Sequence, residues 1–552
     1  MRKEREVETD VLVIGGGIAG SFAAVRAREK GLNVTIVDMG YAGYTGVTRQ
    51  ALLGFAVYNP KWGTDLNTCI EAVSRKGEYL NDREWTEIIF KDSWKIYEEL
   101  VSWGADFRLE SEGYFLKKYP PFTIIPVGEY GVGPACRKRA EEVGVRIMDR
   151  TMVTDLLKKE NTVVGAVGFS LYTGDLYIFK AKSTVMATGP TSLVSGDGDA
   201  LAYRAGAEIT GKEFPYTWPG AGGLLGGMQE VAARNVFMRF VDAEGRLIDI
   251  SDKYELDLTM EFLVHAGKAP IYWDLEAATS EDIARMRKRI ENAYPRFEPK
   301  FDPSQGGRRQ ALGGEHRMGG GTHQGGGIWL TNKKCAASLQ GLFAAGECAS
   351  TRALGAYHPA PGFGLLTSAV AGYRAGIGAA EHAMQADKPD LSKEELSKVK
   401  ETVYEPLERK SGFDPRWTAQ IIYNTMVPYF IKYIKREDRL KAALTIVTFV
   451  RDHIVPKLFA KDIHELWLAH EVKNIVLNAE MILRCSLFRT ESRATHYRED
   501  YPRRVDPDWL AWVKLKDDNG EMRLWKEPIP KKWWPDLSLP YEERYPRRFP
   551  GE

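Results

Sequence analysis

The stretch at residues 10–38, DVLVIGGGIAGSFAAVRAREKGLNVTIVD, limits what this chain can fold into more than any other. Its continuous apolar run Val11, Leu12, Val13 and Ile14 ends at Gly15, the pattern of a strand buried on both faces. Gly15, Gly17 and Gly20 then fall at G-x-G-x-x-G spacing, with Ile18 and Ala19 between the last two. The first glycine permits a tight turn, the second lets a pyrophosphate approach the backbone, and the third lets a helix pack on the strand. A helix over residues 21–30 directs its N-terminal amides and positive dipole end at that phosphate. A second strand over residues 33–37 ends in Asp38, placed to accept hydrogen bonds from the ribose hydroxyls of an adenosine. Glycines alone would also suit a structural turn. Strand, glycines, helix, strand and acid in this order predict a Rossmann-like α/β domain that binds a dinucleotide.

At 552 residues the chain exceeds one ordinary domain and can bury a large core. A net charge of +1 and a pI near 7.6 leave no basic footprint, so nucleic acid is not expected as a partner. The five cysteines, Cys69, Cys136, Cys335, Cys348 and Cys485, form no C-x-x-C pair. That argues against an iron–sulfur or zinc site within this chain and fits a reducing compartment. The opening MRKEREVETD is charged and runs straight into the first strand, with no secretory signal. No run of about eighteen or more apolar residues could span a membrane. A cytoplasmic location is expected, at the inner membrane face only if partners hold it there.

Residues 41–55 are rich in glycine and threonine and follow the acid, where a doubly wound fold keeps its ligand crevice. Thr45 and Gly46 are therefore candidate cofactor contacts. Residues 81–103 carry a helical stripe of Trp85, Ile88, Ile89, Ile96, Leu100 and Trp103, which reads as core. A further helix is predicted over residues 131–143. Short strands over residues 145–178, with a turn at Thr173, Gly174 and Asp175, read as a β-meander, followed by a last strand at residues 184–187.

With these stretches in view the chain resembles a known family. The glycine fingerprint, the ATGP at residues 187–190, GDGDALAYRAGAE at 196–208, GLFAAGEC at 341–348 and ESRATHYREDYP at 491–502 carry the likeness. They resemble the flavoprotein subunits of succinate dehydrogenase and fumarate reductase, with L-aspartate oxidase and the alpha subunit of dissimilatory adenylylsulfate reductase as relatives. The resemblance implies FAD as the dinucleotide. Ala187, Thr188, Gly189, Asp199, Gly346, Glu347, Gly364, Leu365 and Leu366 become its further contacts, with Glu347 matching an acid near the ribityl or ribose region. It also implies an FAD-binding domain in two parts, residues 1–212 and 309–385, with an α+β capping domain inserted at residues 213–308. A helical domain follows at 393–499, then a hairpin and extended arm at 500–552.

The departures from that pattern matter as much. Relatives that attach FAD covalently place a histidine in the loop after the second strand, and Thr45 stands there, so dissociable FAD is expected. The dicarboxylate enzymes carry H-P-T-G at the end of the first FAD segment; residues 213–223, EFPYTWPGAGG, have Phe214 in place of the histidine. No arginine lies between Thr259 and Leu275, where the family's proton-delivering arginine belongs. GAYHPAPGFGLL at residues 355–366 lacks the carboxylate-binding arginine of R-L-G-A-N-S-L-L. Unpaired carboxylates in a dry pocket are costly, so fumarate and succinate are poor substrate candidates.

Histidines and aromatics fill the gap. His265, His316, His323 and His358, four of the nine histidines, fall in segments that the resemblance puts at the flavin or in the cap. Each is also compatible with a structural role. Together they are the candidate proton donors, His323 and His358 foremost, because histidine titrates near working pH. His316 and His323 are seven residues apart without a third ligand at recognisable spacing, so no metal site is expected. No G-x-S-x-G elbow supports a nucleophilic hydrolase.

In the arm, residues 512–516 and 522–526 alternate around Asp517, Asp518, Asn519 and Gly520, a hairpin signal. Five of the fourteen tryptophans lie between Trp509 and Trp534, and either a clamp on a partner or packing on the helical domain would use them. The expected chemistry is a two-electron exchange between FAD and a small substrate under the cap. No second nucleotide fingerprint is visible, and the resemblance implies a separate ferredoxin-like iron–sulfur protein as electron partner. A self-sufficient oxidase or dehydrogenase, and a non-catalytic electron relay in a larger assembly, stay open beside it.

Overall fold

The computed structural model describes residues 2–51, 54–107, 120–128, 131–190, 197–215, 240–248, 256–274, 279–280, 284, 308–312, 326–389 and 393–552. Strand β1 (Glu4–Ile14) runs into helix α1 (Ile18–Arg28) and strand β2 (Val34–Val37). The expected helix thus starts three residues early, with Gly17 as its N-cap. The apolar stripe of residues 81–103 forms α2 (Arg83–Ser102), capped by the Asp82 side chain on the Trp85 amide, with Trp85, Ile89, Ile96 and Leu100 buried. The helix expected at 131–143 is present at Gly133–Glu142.

β1 and β2 lie in a seven-stranded sheet with β3 (Arg146–Met148), β4 (Thr151–Lys159), β5 (Thr162–Ser170) and β6 (Leu176–Met186), in the order β3, β2, β1, β6, β5, β4. The last strand expected at 184–187 is the end of the eleven-residue β6, not a separate element. β6 has two sets of neighbours on the side away from β1. Its first part pairs antiparallel with β5, Lys180 facing Gly165, while Thr184, Val185 and Met186 pair parallel with a strand from far along the chain, Leu342–Ala344. One strand therefore holds the meander at one end and the second FAD segment at the other.

After β6 come helix α3 (Asp197–Arg204), strand β7 (Ile209–Thr210) and, within the inserted segment, helix α4 (Leu256–His265). The chain returns with β8 (Gly327–Trp329), β9 (Leu342–Ala344) and β10 (Ala349–Ser350), then the 23-residue helix α5 (Phe363–Gln385). Helix α6 (Ile463–Phe488) forms the axis of the helical region, its Val472, Ile475, Val476, Ala479 and Leu483 buried with Ile422, Leu440 and Val447.

The hairpin is β11 (Ala511–Asp518) and β12 (Glu521–Pro528), joined by Asn519 and Gly520 with φ of 54° and 89°. Two positive φ values in a two-residue loop match the twist of the flanking strands. β11 pairs antiparallel with β7, completing a five-stranded sheet β10, β8, β7, β11, β12. Beyond it, Trp533 is buried with Leu80, Phe214 and Ile529, and the Trp512 indole donates to the Leu80 carbonyl at 2.7 Å. These tryptophans of the arm pack on this chain itself, on Leu80 and Phe214 and on Ala494 at the end of the helical region, and Trp509 lies edge-on to Phe488 of α6.

α1 and α5 meet through small residues. A Cβ on Gly372 would lie 2.2 Å from the Ala19 carbonyl oxygen, and one on Gly376 would lie 2.4 Å from that of Ala23. Four-residue spacing on both helices gives a close, parallel contact. Gly372→Val should therefore lower stability by about 2–3 kcal/mol despite its gain in backbone stiffness, because the clash is with backbone. A melting temperature equal to that of the parent chain would contradict this packing.

Candidate active site

The register of the sheet brings three chain segments to one edge. The Gly15 amide donates to the Val37 carbonyl, the Ala187 amide to Ile14 and the Ala345 amide to Met186, each at 2.8 Å. Gly15 has φ of 105°, and a Cβ there would stand 2.2 Å from the Ala187 oxygen; one on Gly20 would stand 1.9 Å from the Gly15 oxygen. Only glycine fits either position. Asp38 is held by the Gly16 and Gly40 amides, each donating to one of its carboxylate oxygens at 2.7 Å. Burial raises its pKa, and those two hydrogen bonds oppose the rise. Each oxygen keeps a second acceptor position suited to a ribose hydroxyl.

At the start of α1 the Ile18 amide donates to Thr48 Oγ1 at 3.1 Å. Thr48 is a contact that motif reading missed, because it is supplied by a loop thirty residues away. Thr45, the expected cofactor contact, folds back on its own loop: its hydroxyl accepts from the Tyr41 amide at 2.8 Å and donates to the Tyr41 carbonyl at 3.0 Å. Gly46 and Gly189, with φ of 78° and 85°, would carry a Cβ into open space among the described residues.

Asp199 is fully buried in an ion pair with Lys212, at 2.5 Å, and Lys212 also donates to Asn478 on α6 at 2.8 Å. Its role is to tie α3 to the strand that leaves the nucleotide region. Between the two acids, a Cβ on Gly198 would stand 2.3 Å from Thr188 Oγ1. Asp197 accepts from Asn474 at 2.7 Å, and burial pushes its carboxyl up to about 6.

The second FAD segment closes the other side. Gly346 has φ of 76°, and a Cβ on it would stand 2.9 Å from that of Ala19; Glu347 beside it is buried. Gly362, in a left-handed conformation, starts α5, and Gly364, Leu365 and Leu366 form its first turn. α5 begins nine residues before Gly372 and α1 one residue before Ala19. With the helices parallel, the N-terminus of α5 stands eight residues, about 12 Å, beyond that of α1.

Of the four histidines, the two that are described contact different neighbours. His358 lies half-buried in the turn before α5, its ring edge-on to Phe363 with centroids 6.1 Å apart. His265 ends α4 and faces the helical region, 3.7 Å from Glu499 and 5.9 Å from the Tyr429 ring. His316 and His323 lie outside the described residues. Phe214, matched above to a substrate-binding histidine, is a core residue packed 5.1 Å from the Arg489 guanidinium and 6.1 Å from the His496 ring.

Behind Phe214 lies a buried ionic cluster that the motif reading passed over. Arg489 donates to Glu213 at 2.9 Å and to Glu491 at 2.8 Å, while Arg493 donates to Glu491 and Asp506, each at 2.7 Å. Lys435 donates to the Glu213 carbonyl at 2.6 Å and to His496 Nδ1 at 2.9 Å. Burial pulls Lys435 down to about 7 and holds His496 well below its ordinary range. The His496 ring is thus neutral, with Nε2–H directed at the Arg489 carbonyl. Among the described residues no helix is long and apolar enough to cross a membrane.

Comparisons with known proteins agree with this geometry. Residues 10–365 match the family model of an FAD binding domain, and residues 431–545 match that of the fumarate reductase flavoprotein C-term. An uncharacterised FAD-dependent oxidoreductase of Methanocaldococcus jannaschii is 26% identical, across 95% of this chain and 98% of its own. One of the subunits of the fumarate reductase (CoM/CoB) of Methanothermobacter marburgensis is 27% identical, across 92% and 97%. In structure, adenylylsulfate reductase of Archaeoglobus fulgidus matches with a TM-score of 0.77 at 22% identity, over 96% of this chain and 97% of that one. A variant of E. coli quinol fumarate reductase matches with a TM-score of 0.82 at 18% identity, over 96% and 97%. At such identities these two structures speak for the fold alone. Matched over residues 10–365, well beyond half its length, the chain belongs to the FAD-binding flavoprotein family that includes the fumarate reductase and succinate dehydrogenase flavoprotein subunits and L-aspartate oxidase, and it is an FAD-dependent oxidoreductase.

Proposed function

We propose that this chain holds FAD without a covalent bond and exchanges two electrons between it and a small substrate beneath a cap formed by residues 213–308. The electrons then pass to or from a separate iron–sulfur partner. The observation that carries the reading is the parallel seating of α1 and α5 with their N-termini staggered by about 12 Å along the helix axis. A pyrophosphate at the glycine turn before α1 leaves an extended dinucleotide long enough to bring its flavin to the first turn of α5. There Gly364, Leu365 and Leu366 offer the positive end of a helix to the N1 and C2=O edge of the ring. The tight glycine turn at Gly15 and the open space beside Gly46 and Gly189 fit such a group.

FAD, when bound, supplies the two-electron step itself. The chain orients the ring, excludes water and delivers a proton. His358 is the described histidine at the mouth of α5, and it is our choice for that proton at the substrate. Residues 355–366 contain no arginine, nor do residues 259–275, so the pocket lacks cations in the positions that grip and protonate a dicarboxylate. We therefore take the substrate to be something other than fumarate or succinate.

Two measurements bear on this. Acid precipitation of the purified yellow protein should release all its flavin into the supernatant, since Thr45 offers no ring nitrogen for attachment; flavin retained in the pellet would refute dissociable FAD. Enoates, sulfur oxyanions and acyl thioesters can be screened for reoxidation of the dithionite-reduced protein. With the compound that responds, His358→Ala should slow reoxidation about 100-fold at unchanged FAD content. An unaltered rate would remove His358 from the chemistry.

A further inference from the structure

The helix Glu437–Phe449 is apolar on two sides. Its inner face, with Leu440, Ala443 and Val447, is buried in the core of the helical region beside Ile422 and Val472. One buried stripe is what a surface helix needs, and the opposite face of such a helix is ordinarily charged. Here residues 442–450, AALTIVTFV, carry no charge at all. Ile446 and Phe449 are 44% and 56% exposed, and Ala442 and Thr445 are exposed with them. The Thr445 hydroxyl donates to the Lys441 carbonyl at 3.0 Å, so its one donor is spent within the helix. Ala442, Thr445, Ile446 and Phe449 stand at i, i+3, i+4 and i+7, the seam by which one helix packs on another.

Two features say what covers this seam. The first is that its positions read the same in reverse. About a two-fold axis between Thr445 and Ile446, the small Ala442 meets the bulky Phe449 of a second copy, and facing helices interdigitate in this large-against-small way. The second is charge. Lys441, 66% exposed, precedes the stripe, and Asp452, 49% exposed, follows it. In an antiparallel pair each Lys441 comes within two residues, about 3 Å along the axis, of the other copy's Asp452. Parallel docking would instead set like charges together. Within the chain Lys441 meets Glu437 and Asp452 meets Arg451. Such exposed pairs contribute little and are readily shared, and Arg451 is kept in place by the buried Glu480 at 2.6 Å.

We propose that this face is an interface between two copies of the chain, the helices Glu437–Phe449 packing antiparallel across a two-fold axis. Phe449 of each copy then lies over Ala442 of the other, and Lys441 of each pairs with Asp452 of the other. A seam two turns long is small beside the roughly 1,200–2,000 Å² of a standard interface, so the dimer is weak and concentration-dependent. None of these residues takes part in the proposed chemistry, and the two readings stand or fall separately.

The test is sedimentation velocity on the purified, FAD-loaded full chain. Over roughly 1 to 200 µM, monomer should give way to dimer. Phe449→Glu should weaken association roughly 100-fold at unchanged FAD content and melting temperature, because the side chain it alters is exposed. Lys441→Glu and Asp452→Lys should each weaken it roughly tenfold. Mixing these two variants should restore association, since each then meets the opposite charge across the axis. A chain that stays monomeric at every concentration would overturn the proposal, and that is also the outcome if the face serves the iron–sulfur partner instead. A dimer indifferent to Phe449→Glu would overturn it too, as would failure of the mixed variants to associate better than either alone.

Discussion

Close approach of backbone to backbone, permitted by missing or minimal side chains, is the constraint on which the rest of this structure depends. Gly20 lies against Gly15, Gly15 against Ala187, Gly346 against Ala19, and Gly372 and Gly376 against Ala19 and Ala23. Each contact leaves no room for even one added carbon. Together they bring the ends of β1, β6 and β9 and the starts of α1 and α5 to one edge, with helix ends and backbone amides directed at the same crevice. Packing of this kind is cheap in side-chain entropy and stiff, since carbonyl and Cα positions cannot relax as long side chains do. A cofactor site built on it is already formed before ligand arrives.

Much of this was legible in the sequence where a residue's role is decided by its immediate neighbours. Gly15, Gly17, Gly20 and Asp38 declare themselves by spacing, the hairpin by Asn519 and Gly520, and α2 by its apolar stripe. What could not be read was the outcome of contacts between distant segments. Nothing local to residues 176–186 says that one strand will serve the meander at one end and residues 342–344 at the other. Asp199 and Asp197 are both acids in a glycine-rich run, and Lys212 and Asn474, each from another element, decide which is tied up in an ion pair. His265 and His358 look alike in sequence; packing sends one to Glu499 and leaves the other before α5.

The buried ionic cluster raises a different question, because an apolar core of the same volume would often be at least as stable. Its members come from both ends of the seam between regions: Glu213 sits where the chain leaves the nucleotide region for the inserted segment, and Arg489 and Arg493 lie where the helical region turns into the arm. Apolar side chains can slide past one another by a rotamer at little cost. A guanidinium held by two carboxylates cannot, since any shift strands a charge in a dry interior.

That difference explains the division of labour along the inserted segment. At its root Glu213 is fixed twice, by Arg489 on its carboxylate and by Lys435 on its carbonyl, so the point of departure stays put relative to the flavin crevice. Further out, α4 packs Leu258 and Phe262 on the apolar cluster around Tyr497, with its own Glu261 buried beside them. The inserted segment thus leaves the nucleotide region from a residue held by two cations, and its helix α4 packs on an aromatic cluster assembled from three distant stretches of the chain.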